Sequence, residues 1–151
     1  MIQRIQSVYL LLAGLLMAAA TFFPLLELAG EGKFTYIFSS LGIGQLFTVQ
    51  YPTWGVVFFA GLSALLALIN IFLYKKRKLQ MKVGTLTSLL ILFFYVTLYV
   101  YFNAYTVKYG LTFSSFQFGL ILPVIALIFN VLAILRIKKD ENLVKSLDRI
   151  R

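Results

Sequence analysis

Outside segments 27–53 and 103–117 and the carboxyl tail, apolar residues in this chain do not recur at helical or alternating intervals. They fill long unbroken runs, and polar residues collect between them. Four such runs cover residues 8–26, 54–74, 83–102 and 118–135. A helix rises about 1.5 Å per residue, so about 20 apolar residues cross a hydrocarbon layer about 30 Å thick. The pattern therefore predicts four membrane-spanning helices. The first run contains Ala18-Ala19-Ala20, small residues of the kind found at signal-peptide cleavage sites. It continues through Phe22, Phe23, Leu25 and Leu26, too far for a signal h-region, and is read as a retained span. Pro24 lies near its end, where a helix stops at little cost. Pro52 precedes the second span, where a missing N–H is no loss, and Pro123 falls in the first turns of the fourth.

Segments 27–53 and 103–117 differ from the runs. Phe34-Thr35-Tyr36-Ile37-Phe38-Ser39 places aromatics at alternate positions, and Leu46-Phe47-Thr48-Val49-Gln50-Tyr51 has similar character. The glycine-containing stretch between them suggests a loose hairpin or two short strands. Thr106-Val107-Lys108-Tyr109 and Leu111-Thr112-Phe113, on either side of Gly110, are also β-leaning and could pair with the first segment in a small sheet. At the carboxyl end, Leu143, Leu147 and Ile150 share a helical face with Val144 beside them, and Glu141 precedes Lys145 by four. This predicts a short amphipathic helix on the membrane surface. The fold expected is an all-α membrane protein: a four-transmembrane-helix bundle with short β-rich extracytoplasmic loops and a C-terminal amphipathic helix.

Charge orients the bundle. Lys75-Lys76-Arg77-Lys78-Leu79-Gln80-Met81-Lys82 holds five cations in eight residues, and short loops of this kind remain on the cytoplasmic side. With loop 75–82 inside, alternation puts segments 27–53 and 103–117 outside and tail 136–151 inside. Arg4, the five loop cations and the six of the tail then face Asp140, Glu141 and Asp148 on one side. The other side has Lys33 and Lys108 against Glu27 and Glu31. The cationic excess is wholly internal, which predicts an N-in/C-in chain forming a single integral membrane domain over 1–151. The 151 residues are 61% hydrophobic and 13% charged, far from the roughly 25% charge of soluble domains. The net charge of +9 is therefore read as membrane-directed, with anionic headgroups at the cytoplasmic face as partners and no nucleic acid expected.

The chemistry available is narrow. Cysteine and histidine are absent, and no Asp, Glu, Lys or Arg falls inside a predicted span. Intramembrane ionisable groups mark pumps, ion-coupled transporters and intramembrane hydrolases, so these classes are disfavoured. Ser63 and Ser88 would have no base among the span residues. Glu27 and Glu31 are four apart and read as solvated loop charges, and Gly42-x-Gly44 is too slight for a phosphate loop. No catalytic, cofactor-binding or metal-binding residue is assigned, and the protein is not expected to be an enzyme.

Three polar span residues stand out. Asn70 lies five residues before Lys75, Asn130 six before Arg136, and Ser88 six after Lys82. At helical rise all three sit roughly 8 Å inside the basic boundary. They form an intramembrane polar layer, read either as an interhelical hydrogen-bond seam or as a site for a headgroup or small ligand. Tyr95, Tyr99 and Phe102 make a stripe on the third span, either a packing seam or the wall of a lipid-chain cavity. Residues 67–76 faintly echo residues 127–136, each an Asn-bearing helix end running into cations.

The opening Met1-Ile2-Gln3-Arg4-Ile5-Gln6-Ser7-Val8-Tyr9-Leu10, the central Phe72-Leu73-Tyr74-Lys75-Lys76-Arg77-Lys78-Leu79-Gln80 and the tail from Ile137 to Arg151 resemble the domain of unknown function 4293 family. These are four-span membrane proteins from one lineage of Gram-negative bacteria. The resemblance implies a bacterial inner-membrane protein of unassigned activity and supplies no catalytic residues. Its characteristic positions would cluster on the cytoplasmic rim, where Gln3, Arg4, Gln6, Lys75, Lys76, Arg77, Lys78, Gln80, Asp140, Glu141, Asp148 and Arg149 are candidates for docking a membrane or cytoplasmic protein partner. The function expected is an accessory or assembly subunit, with a lipid or lipophile carrier as the alternative.

Overall fold

A computed structural model describes residues 2–30, 34–45 and 48–148, with the side chains of 2–4, 48, 49, 145, 147 and 148 outside the description. Expectations resting on Arg4, Glu31, Lys33, Asp148, Arg149 and the Lys145, Leu147 and Ile150 side chains therefore lie outside the described residues. Four long helices dominate: α1 (Ile2–Phe22), α2 (Trp54–Phe72), α3 (Arg77–Tyr109) and α4 (Leu122–Asp148). Each contains a stretch long and apolar enough to cross a membrane. Consecutive helices pack together, and α4 closes the ring against α1.

The side chains in this bundle are sorted by size. Ala13, Gly14 and Ala20 of α1, Ala60, Ala64 and Ala67 of α2, Gly84 of α3 and Ala126 and Ala133 of α4 are buried. Leu11, Leu15, Leu65, Ile69, Leu86, Leu92, Ile128 and Leu135 point outward, each more than 40% exposed. Water would drive these large apolar side chains inward. Hydrocarbon exerts no such drive, and helix association then favours small residues that let backbones approach. Exposed Phe22, Phe23, Trp54, Phe116 and Phe118 collect at one end of the bundle, and exposed Phe72 and Tyr74 at the other.

The all-α expectation is corrected. The end away from the basic turn carries a five-stranded antiparallel sheet, so the fold is mixed α/β. Its strands are β1 (Pro24–Ala29), β2 (Thr35–Ser39), β3 (Gly42–Gln45), β4 (Thr48–Pro52) and β5 (Thr112–Phe116), in the order β4-β3-β2-β1-β5. Pro24-Leu25-Leu26, assigned to the first span, belongs to β1. An apolar run alone does not distinguish helix from buried strand, and Pro24 has no N–H to continue the helix. The sheet shares one core with the bundle. Leu25, Leu28, Phe38 and Ile43 are fully buried in the same cluster as Met17, Val56, Ile91 and Phe94.

Two helix boundaries are also corrected. α3 continues through Thr106–Tyr109, where a β-leaning segment was expected, and ends at Gly110, whose φ of 63° is a left-handed cap that suits glycine. The carboxyl tail is no separate surface helix. α4 runs unbroken from Leu122 to Asp148 because no Gly or Pro interrupts it after Pro123.

Candidate functional site

Four regions carry the polar and concave features of the molecule, beginning with the polar layer. Asn130 is fully buried, and its Nδ2 donates to the Gly84 carbonyl at 2.8 Å and to Ser88 Oγ at 2.8 Å. Asn70, also fully buried, approaches Gly84 from α2. A Cβ built on Gly84 would lie 3.4 Å from Asn70 Nδ2 and 2.8 Å from Ile134 Cγ1. Only glycine permits this convergence of α2 and α4 on α3. Asn70 Nδ2 and Oδ1 and Asn130 Oδ1 have no hydrogen-bond partner among the described residues. The layer thus joins Asn130 with Ser88, while the Asn70 amide stands beside them without joining.

At the basic end, a single 3-10 turn (Leu73–Lys75) and Lys76 connect α2 to α3. Gln80, expected on the exposed rim, is instead buried and donates from Nε2 to the Asn70 backbone carbonyl at 3.1 Å. That carbonyl also accepts from the Leu73 N–H, so Gln80 caps the end of α2. Asp140 is half-buried: its Oδ2 accepts from Gln6 Nε2, and its carbonyl accepts from Arg77 Nη1 at 3.2 Å. These bonds tie α1 and α3 to α4. Lys75, Lys76 and Lys78 remain exposed and, with Arg77, Leu79, Glu141 and Val144, line a hollow of about 570 Å³.

An apolar groove of about 430 Å³ opens at the sheet end. Its walls are Tyr95, Leu98, Tyr99 and Phe102 of α3, Leu26 of β1, Phe113 and Phe116 of β5, and Leu120. Tyr95 donates its hydroxyl to the Leu120 carbonyl at 2.6 Å. The Phe113 and Phe116 rings lie 4.7 Å apart. The expected Tyr95–Tyr99–Phe102 stripe is therefore one wall of a cavity that β5 completes.

A tyrosine cluster occupies the same end and went unremarked in the sequence, although Tyr101, Tyr105 and Tyr109 stand at i, i+4 spacing. Tyr101 and Tyr105 stack at 6.1 Å, Tyr105 and Tyr109 at 5.7 Å, and Tyr51 of β4 lies 4.2 Å from Tyr109. Burial, followed by the neighbouring Tyr109 hydroxyl, pushes the Tyr51 phenol above its usual pKa. Glu27 accepts a hydrogen bond from Ser115 at 2.8 Å across the β1–β5 pairing. Among the described residues, no three acidic or metal-ligating side chains come together.

The chain matches the family described as Domain of unknown function (DUF4293) over residues 2–150. Neither the curated proteins nor the solved structures contain a match to it.

Proposed function

The chain belongs to the DUF4293 family, and we propose that it is a non-catalytic, multi-pass protein of the bacterial inner membrane that binds a lipid or other lipophilic molecule. The groove between α3 and the β1–β5 edge carries this reading. Its 430 Å³ falls in the range of small-molecule sites, about 300–1,000 Å³. Its walls are aliphatic and aromatic, and the Tyr95 hydroxyl is already engaged by Leu120. Such a surface recognises a chain by apolar contact and offers little to orient a polar substrate. Small residues inside the bundle and large ones outside support the membrane setting, and the basic turn supports a cytoplasmic position for the opposite end.

The test is lipid mass spectrometry on protein purified in mild detergent. The wild type is expected to retain a lipophile that Phe116→Asp, which places a carboxylate at an exposed point of the groove wall, releases without lowering the melting temperature. Equal retention by both proteins would sink the reading.

A second reading, an accessory subunit docking through the basic end, is favoured by the exposed Lys75, Lys76 and Lys78. It loses the contribution of Asp140, which is engaged by Gln6 within the bundle. This reading predicts a protein that co-purifies with the wild type and is lost when those lysines are neutralised.

A further inference from the structure

The hollow at the basic end is independent of the groove and is built differently. Lys75 and Lys76 complete the turn between α2 and α3, Arg77 and Lys78 open α3, and all four border one shallow hollow. The turn is braced. The Lys76 N–H donates to the Leu73 carbonyl at 2.8 Å, the Gln80 N–H donates to the Lys76 carbonyl at 2.9 Å, and Gln80 caps α2 beneath it. Arg77 is further held by the Asp140 carbonyl. The four cations share the hollow with one carboxylate, Glu141. Glu141 is itself engaged, and Lys75 Nζ lies 6.0 Å from the centroid of the Tyr74 ring. Four cations against one carboxylate leave the shallow hollow with an excess of positive charge that attracts an anion.

The remaining walls identify the anion. Leu79 and Val144 are each 42% exposed, and both border the cations in the hollow. A soluble phosphate has no use for these apolar side chains, whereas a phospholipid presents a phosphate beside glycerol and acyl carbons. The depth agrees. The exposed rings of Phe72, at the end of α2, and Tyr74, within the turn, flank the cations, and aromatic side chains of this kind favour the headgroup level.

We infer that this hollow binds the phosphodiester headgroup of one anionic phospholipid, with Lys75, Lys76, Arg77 and Lys78 as the anion-binding groups and Leu79 and Val144 against its glycerol and first acyl carbons. The inference rests on the membrane reading but not on the groove.

Native mass spectrometry in detergent, with phosphatidylglycerol or phosphatidylcholine added at equal concentration, tests it. The wild type is expected to bind one phosphatidylglycerol at least about tenfold more tightly than phosphatidylcholine, and K75Q/K76Q/K78Q to lose that preference. The charge-matched control K82Q/K138Q/K139Q removes three exposed cations outside the hollow and is expected to keep the preference. If the first triple melts early, K76Q and K78Q tested singly give the same reading at a smaller fold-change. Three results would overturn the inference: no preference in the wild type, equal loss in the control triple, or a preference that survives in the hollow triple. Inorganic phosphate binding as tightly as the lipid would reassign the hollow to a soluble anion. A co-purifying protein released by the hollow triple while the lipid preference persists would reassign it to a protein partner. Phe116→Asp is expected to leave the preference intact, so failure of the groove reading and failure of this one are separable.

Discussion

Asn70 and Asn130 are the same residue type at nearly the same depth, yet their surroundings give them opposite energetics. Asn130 Nδ2 holds Gly84 and Ser88 with two hydrogen bonds, whereas neither polar atom of the Asn70 side chain has a partner among the described residues. Removing a hydrogen-bonded group inside a helical membrane bundle costs about 1–2 kcal/mol, while replacing an unpartnered buried amide with an apolar group of similar shape is nearly neutral or favourable. Asn130→Ala is therefore expected to lower stability by about 1–2 kcal/mol. Asn70→Leu is expected to change it by less than about 0.5 kcal/mol or to raise it. Unfolding of both variants in mixed micelles by titrated denaturing detergent measures this, and equal losses would contradict the asymmetry. The shared level of Asn70, Ser88 and Asn130 along the bundle was legible from the sequence, because rise per residue counted from the cations gives it. Rotation about the helix axis was not. Asn130 and Ser88 face each other, but Gln80, read as a rim residue, points inward to cap α2. Gly84 gave no sign of its role, since a glycine's importance lies in what approaches it.

At the scale of elements, the four apolar runs located the cores of all four helices, and their ends were read less well. β1 captured three residues of the first run, and α3 extended to Tyr109. The pairing of the Leu111-Thr112-Phe113 segment with the first segment was legible from its β-leaning composition, but the register, such as Glu27 with Ser115, leaves no mark in local composition. The tyrosine cluster packs the end of α3 against β4 and brings a pH dependence. The folded pKa of Tyr51 lies above its unfolded value near 10, so folding favours the neutral phenol. That contribution to stability is fully present below pH 10 and is lost as pH rises through the folded value. Thermal melting in detergent is expected to fall on the alkaline side of pH 10, and Tyr51→Phe to flatten the decline. An identical decline in the variant would remove Tyr51 as its source.

The whole molecule is polarised along the bundle axis, with the sheet at one end and the cationic turn at the other. The absence of native cysteine makes the proposed orientation directly testable. Single substitutions Ser114→Cys at the sheet end and Lys78→Cys at the basic end, both exposed positions, are expected to behave oppositely toward a membrane-impermeant thiol reagent. Ser114→Cys is expected to react in cells whose outer membrane has been made permeable, and Lys78→Cys only after the inner membrane is broken. The reverse pattern would invert the topology and remove the cytoplasmic face on which the docking reading depends.

The central place of β1 in the sheet bears on how the chain is made. One side of β1 meets β2, a few residues later, and the other meets β5, whose residues emerge only after α2 and α3 have been synthesised. The first four strands can zip together as soon as residues 24–52 have been synthesised, leaving the far side of β1 unlatched. That open side is closed by the last helical hairpin to arrive, so β5 acts as the clasp that joins the late half of the polypeptide to the early half.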